Sequence, residues 1–333
     1  MPINLSQNPY IETPLIHSSY ISRKLGCNVA LKLDLLQPSG SFKSRGLGTL
    51  IRHHISDKTA EFKFVSSSGG NAGLAVAEAC QRYGVECIVV VPEPTPQAVV
   101  DRLSSYEGTR VEKHGSEWKY ADARARQIVA ELGDHAVYCS PFDDPLIWQG
   151  NSSLVDEIVA QAASLYPCSQ LKAISCSVGG GGLYTGLASG LSAKYDSIES
   201  RPMIVTSETV GANKLVLSLQ QGKLVTLDKI TSIASSLGAP RVADQAWHFV
   251  NSYPTLAAQV TDSEAVMACL ELLRHHRLLV EPACGAAIAV WDSPDRVKSA
   301  GISDSSDLIV IVICGGSTVT IERLLEFSHK FGL

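Results

Sequence analysis

Two periodicities alternate along this chain, and that alternation limits the fold more than any other feature. "FKFVSSS" is short and apolar, and "NAGLAVAEACQRYG" after it has helical spacing and closes on Gly84. "VECIVVVP" is apolar without polar alternates, "PQAVVDRLSSYEG" is helical, "TRVEKHG" is extended, and "WKYADARARQIVAELG" is a long amphipathic helix. A strand that is apolar at every position has both faces covered, as in parallel sheets packed between helices. The order strand, helix, strand, helix therefore predicts an α/β fold with a parallel sheet. "VALKLDLL" is a further strand upstream. An interruption follows at "YCSPFDDPLIWQGN", rich in Pro and Asp. The alternation then resumes with "SSLVDEIVAQAAS" (helix), "LKAISCSVG" (strand), "GGLYTGLASGLSAKY" (helix), "RPMIVTSE" (strand), "TDSEAVMACLELLRHHR" (helix) and "DLIVIVICGG" (strand). Thr261 with Glu264 three residues later predicts a capping box.

At 333 residues the chain exceeds one small core, so one large or two medium domains are expected. A net charge of -5 without a basic stripe argues against a nucleic-acid partner. The opening "MPINLSQNPYIETPLIHS" has no basic segment followed by an apolar one, so no secretory leader is expected. The longest strongly apolar runs, such as Leu308–Cys314, are too short to cross a bilayer. Nine cysteines without a CxxC pair read as small buried groups of a reduced, cytoplasmic protein, not as zinc ligands. The doublets His53-His54 and His275-His276 read as solvated helix faces.

Four stretches carry possible chemistry. "PSGSFKSRG" sets Lys43 beside Phe42 among small polar residues. A loop lysine is usually a solvated charge, but a desolvated one can attack a carbonyl as a Schiff-base lysine. "SVGGGGLYTG" (Ser177–Gly186) follows a strand and opens a helix. Its glycines let backbone N–H groups approach an anion at a helix start. The spacing fits neither the Gly-Lys-Ser/Thr phosphate loop nor G-x-G-x-x-G, so a phosphate is favoured over a dinucleotide. "SSSGGNAG" (Ser66–Gly73) is a second strand–turn–helix, able to hold a carboxylate or to be a plain helix cap. "ICGGST" (Ile313–Thr318) ends a strand with Cys314, either packed in the core or a weak neutral partner for a pyridine nitrogen. Two anion cradles, a carbonyl-reactive lysine and a neutral ring partner, all at strand ends, converge on pyridoxal phosphate.

On these residues the sequence resembles the fold type II pyridoxal-phosphate enzymes, and within them the catabolic L-serine dehydratase / L-threonine deaminase family of liver and fungal type. The likeness spans nearly the whole chain. It rests on "QPSGSFKSRG", "SSSGGNAG", "PFDDPLIWQGN", "SVGGGGL", "ETVGA", "GKLVTLDKITSIASSLGA", "LLVEPACGAA" and "VICGGS". It implies two open, twisted, mainly parallel sheets covered by helices, as in the tryptophan synthase β fold. A small domain of residues 36–144 would be inserted in a large cofactor domain of residues 1–35 and 145–333, with the cofactor in the cleft between them. The resemblance further implies that Lys43 forms the Schiff base, that Phe42 packs on the ring and that Asn71 contacts the ring hydroxyl oxygen. Gly179, Gly180, Gly181, Gly182 and Leu183 would wrap the phosphate, and Cys314 would face the pyridine nitrogen. Ser67, Ser68, Gly69 and Asn71 would clamp the substrate carboxylate. A monovalent cation, usually potassium, would bind Gly179, Glu208, Ala212, Leu237 and Ala239.

The implied reaction is α,β-elimination. Lys43 removes the Cα proton, and the β-hydroxyl leaves as water, protonated by Ser68 or the cofactor phosphate. L-Serine gives pyruvate and ammonia; L-threonine gives 2-oxobutyrate and ammonia. Gly69 departs from the alanine common in mammalian liver enzymes and widens the pocket. Serine racemase shares the motifs, but its divalent-metal segment resembles Glu-x-x-x-Ala-x-Asp. Here Lys214 stands at the third ligand position, which opposes a divalent metal. A non-catalytic phosphate-binding relative is the other alternative. A homodimer is implied, with no membrane partner, and no regulatory domain or isoleucine feedback is expected.

Overall fold

The computed structural model describes residues 7–56 and 62–333. Residues 1–6, part of the stretch read for a leader, lie outside the described residues. Ten strands are described: β1 (Leu15–His17), β2 (Asn28–Lys32), β3 (Lys63–Ser66), β4 (Cys87–Val91), β5 (Thr109–Lys113), β6 (Ala136–Tyr138), β7 (Gln170–Ser177), β8 (Met203–Thr209), β9 (Thr255–Val260) and β10 (Asp307–Val312). They form two sheets, in the orders β5-β4-β3-β6 and β1-β2-β10-β7-β8-β9. Every pairing is parallel except β1 with β2. The α/β expectation with two mainly parallel sheets therefore holds.

The chain divides into two compact units. One comprises Gln37–Gly150 with the described residues up to Ile11, and contains the four-stranded sheet. The other comprises Glu12–Leu36 and Asn151–Leu333, and contains the six-stranded sheet.

In the first unit, alternate residues of the central strands feed two separate cores. Phe64, Val89 and Val91 pack with the helices Lys43–Ile55 and Asn71–Tyr83, through Leu47, Leu50, Leu74 and Val76. Val65, Ile88 and Val90 pack with Ala121, Ala125 and Ile128 of the helix Trp118–Leu132. All of β4 is buried, which is why its sequence shows no polar alternate. Each fully buried Val or Leu adds about 1.5–3 kcal/mol of hydrophobic stabilisation. The helix Asn71–Tyr83 ends at Gly84 in the left-handed conformation, φ 70°.

In the second unit every residue of β10 is buried. Lys32 at the end of β2 is buried too, bonded to the Thr13 carbonyl (2.6 Å), Glu157 (2.6 Å) and Gln161 (2.9 Å). The capping box at Thr261 and Glu264 is formed, each side chain bonding the other's backbone N–H.

Both sheets reverse their strand order at one point. The chain runs β3, β4, β5 outward and returns to add β6 on the other side of β3; likewise β7, β8, β9 run outward and β10 adds beside β7. Ligands of open α/β sheets bind at the carboxyl ends of strands flanking such a reversal. The reversals lie between β3 and β6 and between β7 and β10.

Some elements differ from expectation. The helix expected from Ser152 starts at Pro145 and runs to Leu165. Asp144 caps it through the Leu146 N–H (2.8 Å), and proline is well suited to a first turn, where its missing N–H costs nothing. Residues 136–138, between the long helix and the Pro/Asp-rich stretch, form the edge strand β6, and β1 and β9 were not evident either. Among the described residues no helix is long and apolar enough to cross a membrane. All nine cysteines are free, and only Cys168 is exposed.

Candidate active site

Lys43 is the first residue of a helix, not a loop residue. The serines around it build the turn that starts this helix. Ser44 Oγ donates to Ser39 Oγ (2.8 Å) and accepts from the Ser39 N–H (3.2 Å), while Gly40 at φ 83° reverses the chain. Lys43 is half-buried; its Nζ donates to the Pro141 carbonyl oxygen and lies 5.0 Å from the Phe42 ring centroid. Pro141 follows β6, and Cys139 bonds back to Val65 of β3 (2.7 Å). The amine thus sits at the carboxyl ends of the strands flanking the first reversal.

The serine-rich turn follows β3 at the same reversal. Ser67 is buried, and its hydroxyl bonds Asp122 Oδ1 (2.7 Å) and lies 3.2 Å from the Tyr138 hydroxyl. Tyr138 also donates to Asp122, and Arg126 Nε donates to Asp122 Oδ2 (2.9 Å). Burial alone would raise the Asp122 carboxyl, but the bonds from Tyr138, Arg126 and Ser67 outweigh it and hold the group below its ordinary value. Ser68 accepts from the Gly70 N–H (3.2 Å), and Asn71 opens the next helix. Gly73 is required: a Cβ there would collide with the Ser68 carbonyl oxygen. Asp122, Tyr138 and Pro141 carried no signal in the sequence, because their roles come from neighbouring strand ends.

The tetraglycine turn follows β7 at the second reversal. Gly181 has φ +95°, and a Cβ there would lie 2.6 Å from the Ala246 Cβ. A Cβ at Gly179 would lie 2.9 Å from the Ser236 oxygen. The Gly180 carbonyl accepts from the Ala243 N–H (2.9 Å), and Asn151 donates to the Gly182 carbonyl (3.0 Å). Among the described residues no backbone carbonyl accepts from the N–H groups of Gly179, Gly180 or Gly181. Gly182 and Leu183 begin a helix, where N–H groups lack intrahelical partners. Five donors are therefore gathered at a positive helix end. Cys314 follows β10 beside this turn, with Sγ 3.7 Å from Ser177 Oγ. Its contact with Cys284 and its burial push the thiol well above its ordinary range, so it is neutral.

The expected cation ligands have a different occupant. The Lys214 ammonium donates to the carbonyl oxygens of Val178 (2.9 Å), Ala212 (3.1 Å) and Leu237 (2.9 Å) and lies 3.2 Å from Glu208 Oε1. Glu208 also accepts from the N–H groups of Leu215 (3.1 Å) and Val216 (2.9 Å). The two side chains are 0% and 1% exposed. Burial pushes Lys214 down and Glu208 up, and their mutual attraction opposes both shifts. Gly179 and Ala239 supply none of the ammonium's bonds. Ala212, Leu237 and Glu208, expected to hold a free monovalent ion, here bond a tethered cation.

Taken unit by unit, the residues suit pyridoxal phosphate: the glycine turn of one offers donors for a phosphate at a helix start, and the lysine amine of the other lies at a strand end against an aromatic ring.

A family model described as pyridoxal-phosphate dependent enzyme matches residues 7–315. The L-serine dehydratase/L-threonine deaminase of Mus musculus is 39% identical over 327 residues, covering 97% of this chain and 96% of that protein. The catabolic L-serine/threonine dehydratase of Saccharomyces cerevisiae is 39% identical over 328 residues, covering 95% and 90%. Among solved structures, a fungal L-serine ammonia-lyase from Rhizomucor miehei matches with a TM-score of 0.87 at 30% identity, covering 98% of this chain and 100% of that one.

Proposed function

Because the chain belongs to the pyridoxal-phosphate dependent enzymes, we propose that it is an L-serine/L-threonine ammonia-lyase, converting L-serine to pyruvate and ammonia and L-threonine to 2-oxobutyrate and ammonia. The observation that carries this reading is the near-full-length identity to proteins named serine dehydratase and threonine deaminase.

When bound, pyridoxal phosphate supplies a carbonyl that condenses with amines and a ring that accepts electron density from the substrate Cα. The N–H groups of Gly179, Gly180, Gly181, Gly182 and Leu183 would hold its phosphate. Lys43 would be the amine that holds its carbonyl, Phe42 would pack on its ring and Asn71 would bond its ring hydroxyl oxygen. Ser67, Ser68, Gly69 and Asn71 bind the substrate carboxylate, with Ser67 held in place by Asp122. The Lys43 amine takes the Cα proton. Ser68 passes a proton to the departing β-hydroxyl, which leaves as water, and the proton taken up by Lys43 restores the Ser68 hydroxyl. The aminoacrylate released then takes up water and yields the keto acid and ammonia.

The neutral Cys314 thiol has a bearing on the outcome. A carboxylate at that place would hold the ring nitrogen protonated, whereas a thiol does not. Less charge then flows into the ring, which favours loss of the β-hydroxyl over transamination. Lys214 in the racemase-like segment counts against a divalent-metal racemase. Potassium is not part of this reading, for the same reason. A homodimer in the cytoplasm, serving amino-acid catabolism and gluconeogenesis, completes the proposal.

The test is keto-acid release by purified protein from L-serine, L-threonine and D-serine. The proposal expects keto acid from both L-amino acids. Interconversion of L- and D-serine without keto acid would replace it with racemisation. Pure protein that binds the cofactor yet does neither would favour the non-catalytic alternative.

A further inference from the structure

We infer that the Lys214 ammonium is a built-in monovalent cation, which holds the glycine turn from behind and makes the protein independent of added potassium. Its surroundings differ from those of the other fully buried lysine of this unit. Lys32 bonds the side chains of Glu157 and Gln161 besides one carbonyl oxygen, joining a strand to a helix. Lys214 bonds carbonyl oxygens from three separate segments: Val178 just before the tetraglycine, Ala212 just after β8, and Leu237 in the turn Ser235–Leu237. A carboxylate on Glu208 balances the charge. Carbonyl oxygens converging from several loops with one carboxylate make the donor set of a cation site.

The count of protons agrees. Four oxygens surround the nitrogen, three carbonyls and Glu208 Oε1; an ammonium turns three N–H groups towards them, whereas a neutral amine has two and would leave one more buried oxygen without a donor. Two of the segments reach the turn: Val178 leads into it, and Ser236, next to Leu237, lies against Gly179, while Ala212 packs with Leu237 behind them. Lys214 therefore ties the residue that enters the anion cradle to the segments that back it. It is a positioning residue and touches neither substrate nor cofactor.

The inference rests on the proposed function only for one of its two readouts. With the cofactor-loaded protein, thermal midpoint and keto-acid release from L-serine are measured in chlorides of potassium, sodium and tetramethylammonium. The parent protein is expected to show the same midpoint in all three, and rates within about twofold of one another, since no site remains for the ion to bind. Lys214→Ala leaves the Glu208 charge buried and opens room among the same oxygens. Its midpoint falls by roughly 10 °C in tetramethylammonium, the cost of breaking a buried pair. About 100 mM potassium recovers much of that loss, and much of the rate, by binding the folded state alone. Lys214→Met fills the space without charge and is expected to lose stability without recovery. A parent midpoint that climbs with potassium overturns the inference, and this arm needs no variant to fold. So does a Lys214→Ala protein indifferent to potassium, or a Lys214→Met protein that responds equally. If midpoints follow the expected pattern while no keto acid forms from L-serine, the built-in cation stands and the proposed activity fails.

Discussion

The two strand-to-helix turns solve the same problem with opposite materials. The turn after β3 is built of serines, and its side chains are held by side chains: Asp122, Tyr138 and Arg126 form one network behind Ser67. The turn after β7 is built of glycines and presents only backbone. With no side chain of its own to anchor it, it is supported through Ser236, Ala243 and the Lys214 cage. A serine turn can direct hydroxyls at a small polar substrate; a glycine turn lets N–H groups crowd round a phosphate. The difference teaches where each turn is vulnerable: the first at its supporting carboxylate, the second at any added Cβ.

The largest effect should come from a residue outside both turns. Lys43→Ala is expected to lower the rate of keto-acid release by at least about a thousandfold, because it removes both nucleophile and base. Retained turnover would place the chemistry on another residue. Next comes Gly181→Ala, which forces a Cβ towards Ala246 at φ +95°. Strain of about 1–3 kcal/mol corresponds to roughly tenfold to a hundredfold weaker cofactor binding, read by titrating apoprotein. The substrate KM of that variant, measured at saturating cofactor, should change little if the two turns have separate tasks.

Asp122→Asn tests the serine turn. It should raise the KM for L-serine about tenfold while cofactor affinity holds, since one charge-assisted bond to Ser67 is weakened. Loss of cofactor affinity instead would erase the distinction between the turns. A pH effect follows from the same carboxyl. Its folded value lies below the unfolded value of about 3.9, so its contribution is full above that pH and is lost as pH falls through the folded value. Urea unfolding from pH 6 down to pH 3 should therefore show a shallower acid decline in Asp122→Asn than in the parent. The smallest effect is expected for Gly69→Ala. Its Cβ would sit 3.2 Å from Val91 Cγ1, a tight contact that side-chain movement can relieve. A KM shift of about twofold to threefold is expected, within the cost of mild overpacking.

The long apolar strands were readable because burial on both faces leaves a continuous apolar run, as in β4 and β10. The short edge strands were not, since β1 and β6 have only three residues each and no complete period. The start of the helix Pro145–Leu165 was hidden because Pro and Asp, which read as loop formers, here cap a helix. The turns themselves were visible as Gly and Ser runs after strands. What surrounds them was not. Lys214 could be seen only as a charge that repels a divalent metal. That three carbonyl oxygens close around it depends on loops far apart in sequence, as does the Asp122 support of Ser67.

The most direct test of the central claim is reductive trapping. The purified holoprotein is treated with borohydride, digested and mapped by mass spectrometry. The account requires a phosphopyridoxyl group on the peptide that contains Lys43. A label on a different lysine, or a protein that carries pyridoxal phosphate with Lys43 unmodified, would contradict it.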